Sequence, residues 1–137
     1  MKIIRINHLG IAPKNPDVAK TFFDTILDLD NVGEETVADQ KVKVTFFQTE
    51  KSRLEILEAT EESSPVAKFV AERGGGIQHI ALEVDNLEEW LAALKQKGVQ
   101  LVDAEPRIGA HQTKIAFIHP RSTGGILVEL TQEMKGH

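Results

Sequence analysis

The sequence predicts an α+β fold built from two tandem βαβββ modules, because three features repeat along the chain. His8 and His79 lie in similar apolar strand patterns, at an offset of 79 − 8 = 71 residues. Asn15 and Asn86, each able to cap a helix after its strand, are offset by 86 − 15 = 71. After each helix the chain returns to short β-like runs. The same order of elements is therefore predicted twice.

The first module is predicted to hold a long strand, an amphipathic helix and three shorter strands. The helix begins at Asn15-Pro16-Asp17, where Asn caps amides, Pro suits the first turn and Asp complements the positive helix end. Its apolar residues follow a 3.6-residue rhythm through Leu27, so we expect one buried face. The strands are predicted at residues 3–12, 32–38, 42–49 and 53–58.

A short helix joins the modules, capped by Ser64-Pro65 and ended by the glycines at 74–76, which lack the spacing of a dinucleotide loop. The second module is predicted to have strands at 77–84, 100–103, 114–119 and 126–131, and a helix from Asn86 to Gly98. We expect a single domain over residues 1–137, with module one at about 1–60, the linker helix at about 61–75 and module two at about 76–137. Neither module is large enough to bury a core alone, so we expect concave mixed sheets packed together with helices outside.

Composition excludes several functional classes. The 137 residues are 41% hydrophobic and 27% charged, as in ordinary globular proteins. No cysteine is present, which excludes disulfides, zinc–thiolate sites and a thiol nucleophile. The net charge of −5, without a basic stretch, gives no footprint for nucleic acid. No apolar run could cross a membrane and no signal sequence precedes the first strand, so we expect a cytoplasmic protein.

Four polar residues stand at equivalent places in the two modules. Glu55 and Glu129 lie inside apolar strands at an offset of 129 − 55 = 74, and His8 and His79 open each module. Strand side chains alternate, so each of the four points away from the denser apolar set and toward the concave side. Imidazole and carboxylate without thiolate suit Co, Ni, Mn, Fe or Zn. The duplication therefore predicts one divalent metal site shared by both modules.

A structural role is the alternative for each of these residues. A histidine in a strand is often only a hydrogen-bonding group. A glutamate inside an apolar strand needs a partner, because burying it alone is costly. The partner could be a cation rather than a metal, and the candidates are Arg5, Arg53 and Lys114.

Five segments of the chain carry a resemblance to a known family. They are Asn7 to Ala12, Ser64 to Phe69, Arg73 to Ala81, Pro106 to His111 and His119 to Leu130. Through these segments the chain resembles the vicinal oxygen chelate (glyoxalase/bleomycin resistance/dioxygenase) superfamily, and within it the methylmalonyl-CoA epimerase family. The last two segments are the most specific.

The resemblance implies that His8, Glu55, His79 and Glu129 bind one divalent metal in a homodimer that acts on an acyl-CoA. Epimerases of this family often have Gln where this chain has Glu55, and the set of two His and two Glu is also similar to that of glyoxalase I. Glyoxalases, however, usually have an Asp-Pro-Asp-Gly-like turn before the final strand, whereas this chain has the turn His119 to Gly125.

The activity that the resemblance implies is interconversion of (2R)- and (2S)-methylmalonyl-CoA through a metal-stabilised enolate. Inversion needs acid–base groups on both faces of that enolate. Glu129 is one candidate, and Asp39, followed by Gln40, matches the other, although family members often have Glu there. Glu34 or Glu35 could replace Asp39, which could instead only cap a hairpin turn.

The remaining site assignments concern the substrate. Gln40 and the turn residues Ser122, Thr123 and Gly124 are candidates for contacts with the substrate. The turn residues are the candidates for binding the substrate carboxylate. Arg107, Lys114 and Arg121 are candidate CoA-phosphate partners, unless each is a solvated surface charge. His111 and His119 have no assigned role, and we expect His137 to be disordered. The alternative functions are a glyoxalase-like lyase, a dioxygenase and a ligand-binding protein without catalysis.

Overall fold

The structure is a computed structural model that describes residues 1–134. It divides into two compact units. The N-terminal unit is His8–Gln78, and the C-terminal unit combines Met1–Asn7 with the chain from His79 onward. The single-domain boundaries remain a prediction, and His137 lies outside the described residues. No helix within residues 1–134 has the length and apolar character needed to cross a membrane.

The N-terminal unit has the order βαβββ, followed by the linker helix. In its sheet the strand order is β2-β3-β4-β1, with β1 parallel to β4 and the other pairs antiparallel. The elements are β1 (Ile3–Ala12, which begins in the other unit), α1 (Pro16–Thr21) with a π-helical turn (Phe22–Ile26), β2 (Asp30–Val37), β3 (Val42–Gln48), β4 (Arg53–Ala59) and α2 (Pro65–Arg73).

The C-terminal unit repeats this plan. Its strand order is β5-β8-β7-β6, with β5 parallel to β8 and the other pairs antiparallel. The elements are β5 (Gly76–Val84), α3 (Leu87–Gln96), β6 (Arg107–Ile108), β7 (Lys114–Ile118) and β8 (Val128–Gln132). The predicted α+β fold of two βαβββ modules is confirmed.

In each unit the helix that follows the first strand covers one face of the sheet. In the N-terminal unit the Phe23 ring lies 6.0 Å from that of Phe47, and Lys20 Nζ lies 2.9 Å from Glu58 Oε2. The hydrogen bond from Lys20 to Glu58 raises the pKa of the lysine. In the C-terminal unit α3 contributes to a buried apolar cluster of Val84, Leu87, Leu91, Ala116, Ile118 and Leu130.

Two details of the predicted elements are wrong. Residues 100–103 form no strand, because only Leu101 makes a bridge, to Ile118, and the two-residue β6 pairs with β7 instead. The first helix and the π-helical turn that continues it have no buried residue, so the predicted buried face does not form. Val18 in the helix and Ile26 in the turn are 64% and 66% exposed.

Candidate metal centre and active site

The N-terminal unit brings His8 and Glu55 together. Both are buried, and His8 Nδ1 lies 3.2 Å from Glu55 Oε2. The pairing of β1 with β4 sets Gly10 beside Glu55, so the glutamate lies next to the strand that carries the histidine. Phe47 and Leu54 point to the helix-covered face, and Glu55 therefore points to the opposite one, as the alternation of the strand predicts.

Glu55 also has a cationic partner on its own strand. Arg53 Nε and Nη2 lie 3.3 and 3.2 Å from Glu55 Oε2, and the guanidinium stacks 5.8 Å above the ring of Phe46. Arg53 is one of the three cations that the sequence offers as partners for a buried glutamate. Burial of the Glu55 carboxylate is thus compensated by both an imidazole and a guanidinium.

The C-terminal unit holds the equivalent pair, His79 and Glu129. Both are buried, and His79 Nε2 lies 3.2 Å from Glu129 Oε1. Ala81 pairs with Glu129, and the Phe117 ring stands edge-on to the imidazole at 5.6 Å. Leu130, the neighbour of Glu129, faces α3 in the apolar cluster. The glutamate therefore points to the face that the helix leaves uncovered.

Each His–Glu pair fits the donor set of a divalent ion. Two neighbouring ligands at about 2.1 Å from one ion, at a right angle, are about 3 Å apart. The 3.2 Å separations between nitrogen and oxygen in the two pairs are close to that distance. Imidazole and carboxylate donors without sulfur suit ions of intermediate character. Each pair can supply two adjacent ligands.

Arg107 lies on the same face of the C-terminal unit as His79 and Glu129. Its Cζ sits 5.6 Å from the centre of the Phe117 ring, on β7 next to Glu129 on β8. Asp103 contacts both Arg107 and Phe117. Its Oδ1 lies 3.3 Å from Arg107 Nε, and its Oδ2 accepts a hydrogen bond of 2.8 Å from the Phe117 amide. Arg107 is thus positioned beside the His79–Glu129 pair.

The turn before β8 makes most of its hydrogen bonds internally. The Ser122 hydroxyl accepts from the Gln100 amide at 2.8 Å, and the Thr123 hydroxyl bonds to Pro120 O and to both backbone groups of Ile126. Amides that donate within the turn are those of Arg121, Ser122, Thr123, Gly125 and Ile126. Gly124 is exposed, with φ at +81°. A carboxylate bound by this turn would have to compete with these bonds.

The two other candidate CoA-phosphate partners lie elsewhere. Lys114 pairs with Gln132 of β8 on the face that packs against α3, and its Nζ contacts Glu88 Oε2 at 2.9 Å. That hydrogen bond lowers the pKa of Glu88. Arg121 is exposed in the turn.

The candidate second base, Asp39, is exposed in a short 3₁₀ turn, Ala38–Gln40, at the end of β2, with Gln40 half-buried beside it. Of the two alternatives, Glu35 pairs with Val44 and so shares the face of Glu55, because Phe46 lies two residues further along β3. Glu34 points to the opposite face, where it accepts a hydrogen bond from Thr45.

A polar network lies further along β5 and β8. Arg5 donates to Glu83 at 2.8 Å and to Glu133 at 2.9 Å, and the buried Asn7 donates to both at 3.2 and 3.0 Å. Burial alone would raise the pKa of Glu83, but the hydrogen bonds from Asn7 and Arg5 outweigh it and lower that pKa. The sequence does not predict this network, because no repeat marks it.

Sequence reasoning also missed the two phenylalanines beside the glutamates. Phe46 pairs with Glu55 and Phe117 with Glu129, and each ring carries a stacked arginine. The signal was present in the sequence, since the offset 117 − 46 = 71 equals that of the histidines.

Comparisons with known proteins identify the family of this chain. Residues 7–117 match the model of the Glyoxalase/Bleomycin resistance protein/Dioxygenase superfamily. The chain is 34% identical to the mitochondrial methylmalonyl-CoA epimerase of Bos taurus over 130 residues, covering 93% of this chain and 74% of that one. The chain belongs to the methylmalonyl-CoA epimerase family of this superfamily. The expected class of enzyme, an epimerase among the isomerases, is confirmed.

Two further comparisons extend this result. The chain is 44% identical over 128 residues to the uncharacterized protein YqjC of Bacillus subtilis (strain 168), covering 93% of this chain and 91% of that one. It is 31% identical to a methylmalonyl-CoA epimerase solved in complex with methylmalonyl-CoA and NH4+, with a TM-score of 0.89 and 96% of each chain covered. This family member therefore binds an acyl-CoA.

Proposed function

We propose that this epimerase interconverts (2R)- and (2S)-methylmalonyl-CoA by moving the proton on C2. The family member solved with methylmalonyl-CoA is the observation that carries this proposal, since it matches this chain almost end to end. The two buried His–Glu pairs supply the donor set that such chemistry needs. The family resemblance further suggests a homodimer.

The proposed metal ligands are His8, Glu55, His79 and Glu129. His8, His79 and Glu129 are buried and each offers one ligand atom, and Glu55 adjoins His8. Co, Ni, Mn and Zn all suit this set. When bound, the ion supplies Lewis-acid stabilisation of the negative charge that develops on the substrate as C2 loses its proton.

Carboxylates of this chain carry out the proton transfers. C2 of the substrate lies between a thioester and a carboxylate, so removal of its proton leaves a planar enolate. A base on one face takes the proton, and an acid on the other face returns one to give the opposite configuration. We assign these roles to Glu129 and Asp39, with Glu35 as the substitute for Asp39, because its strand register directs it to the face of Glu55.

The substrate contacts proposed for Gln40, Ser122, Thr123 and Gly124 follow from the family resemblance. For Arg121, its exposed position leaves it accessible to a CoA phosphate. Lys114 is the weaker phosphate candidate, since it is paired with Glu88 on the helix-covered face.

A glyoxalase-like lyase is the second candidate, because two His and two Glu resemble the ligands of glyoxalase I. Paired assays of the metal-loaded protein separate the two functions. We expect conversion of (2R)- into (2S)-methylmalonyl-CoA and no turnover of the glutathione hemithioacetal of methylglyoxal. Turnover of the hemithioacetal without conversion of the thioester would reverse the assignment.

A further inference from the structure

We infer that Arg107 binds the carboxylate of the substrate's acyl group, and that Asp103 positions it for this contact. This inference rests on the proposed function, because it names the group on the substrate that one residue of that site recognises. It replaces the role of CoA-phosphate partner that the sequence suggested for Arg107. It also replaces the role of carboxylate partner that the sequence suggested for the turn residues Ser122, Thr123 and Gly124.

The position of Arg107 relative to the His79–Glu129 pair is the first argument. Only one side chain separates them: Arg107 Cζ lies 5.6 Å from the centre of the Phe117 ring, which lies 5.6 Å from that of His79. The arginine pairs with Ile115, which shares a strand face with Phe117, so all of these side chains lie on one face. A substrate at the His79–Glu129 pair would therefore have a guanidinium within reach of its acyl group.

The fixed geometry of Arg107 is the second argument. One oxygen of Asp103 forms an ion pair with Arg107 Nε at 3.3 Å, the other accepts a hydrogen bond from the Phe117 amide, and the guanidinium carbon lies over the Phe117 ring. A guanidinium held by an ion pair and a stacked ring loses little further freedom when it binds a carboxylate. Its planar set of donors also matches a carboxylate in two-point contacts.

The other groups available for the carboxylate are engaged differently. Arg53 stacks on Phe46 as Arg107 does on Phe117. Two of its nitrogens, Nε and Nη2, contact the Glu55 carboxylate. In the turn before β8, the hydroxyls of Ser122 and Thr123 are bonded to backbone groups. Arg107 forms an ion pair with Asp103, which is not one of the proposed metal ligands.

The distance from the reacting atoms favours the acyl carboxylate over the CoA phosphates. The carboxylate is attached directly to C2, whereas the diphosphate is separated from the thioester by the whole pantetheine arm. A residue one ring away from His79 lies near the acyl end of a bound thioester.

Binding of three probes to the metal-loaded protein tests this inference by calorimetry. The probes are methylmalonyl-CoA, propionyl-CoA, which lacks the carboxylate, and methylmalonyl-pantetheine, which lacks the CoA phosphates. In Arg107→Gln we expect affinity for both methylmalonyl thioesters to fall about 10- to 100-fold, as for loss of a charged hydrogen bond. Affinity for propionyl-CoA should stay within about twofold, and Arg107→Lys should recover part of the loss.

Two variants complete the test. Asp103→Asn should weaken the same two probes by a smaller factor and leave propionyl-CoA unaffected, a selectivity that a purely structural role would not produce. Arg73→Gln is the matched control, because Arg73 stacks on Phe69 at 5.5 Å, on α2 and outside the site. It should bind all three probes as the unsubstituted protein does.

Other patterns would overturn the inference. Equal losses for all three probes in Arg107→Gln would indicate a structural role, and losses for the two CoA thioesters alone would indicate a phosphate contact. No loss for any probe would exclude a substrate contact. A protein that prefers methylmalonyl-CoA to propionyl-CoA but does not change the configuration at C2 would refute the proposed function while leaving the role of Arg107 supported.

Discussion

Arg53 and Glu55 lie two residues apart on one face of β4, with Arg53 Nε and Nη2 within 3.3 and 3.2 Å of Glu55 Oε2. A guanidinium therefore neutralises a carboxylate that we also propose as a metal ligand. A metal ion bound by Glu55 would compete with Arg53 for the same carboxylate and would take over part of its stabilisation.

Substituting Arg53 should accordingly destabilise the protein most when metal is absent. We expect Arg53→Met to lower the free energy of unfolding of the metal-free protein by about 2–3 kcal/mol, the cost of leaving a buried charge with fewer partners. Excess metal should reduce this loss, and urea unfolding with and without metal measures both values. Arg73→Met, which removes a comparable arginine–phenylalanine stack, is the control. Equal losses with and without metal would contradict the competition.

Substitution in either unit should release the metal. Because His8 and Glu129 come from different modules, we expect His8→Ala and Glu129→Gln each to weaken metal affinity by more than about 100-fold, beyond the loss for a residue that only supports a ligand. Metal content after purification and competition with a chelator report the effect. His119→Ala is the control for metal content, since His119 Nδ1 accepts a bond from the Arg121 amide. Retention of metal by either ligand variant would rule out a shared site.

The identity of the second base is open to a stereochemical test. A two-base epimerase that lacks one base can still exchange the C2 proton of one epimer while failing to invert it. We expect Asp39→Asn to lower epimerisation by about 100-fold or more and to leave exchange of one epimer in place. Glu35→Gln is the paired variant. If it produces this pattern and Asp39→Asn does not, the assignment moves to Glu35.

The network around Glu83 predicts a pH dependence of stability. Its folded pKa lies below the unfolded value of about 4.5, so its contribution is present above that pH and is lost as the pH falls toward the folded pKa. Arg5→Met should cost about 1 kcal/mol at pH 7, as for a partly exposed ion pair, and less at pH 3. Unfolding in urea at both pH values measures the difference. Lys14→Met, which removes an exposed charge, should show no such change; a constant cost for Arg5→Met would contradict the linkage.

Much of this molecule could be predicted from its sequence because it contains a repeat. The helix caps Asn15, Ser64 and Asn86 all accept the expected hydrogen bonds from backbone amides. The strands that carry the four metal-ligand candidates lie near their predicted positions. Strand alternation also directed His8 and His79 away from the helices. These features depend on local rules of capping and side-chain direction, which a sequence expresses directly.

The features that escaped prediction depend on contacts between distant residues. The segment at 100–103 has a β-like composition, but Asp103 binds the Phe117 amide with its side chain and Arg107 begins the short β6. Likewise, nothing in the local pattern of Arg5 indicates that it meets Glu83 and Glu133. Such partners become neighbours only through tertiary packing.

We propose that this chain removes and returns the C2 proton of methylmalonyl-CoA on opposite faces of the enolate. The most direct measurement incubates the metal-loaded protein with one pure epimer in deuterated water and follows C2 by NMR and chiral analysis. We expect that deuterium enters C2 and that the sample approaches equal amounts of the two epimers. Full retention of the C2 proton and of the starting configuration would contradict it.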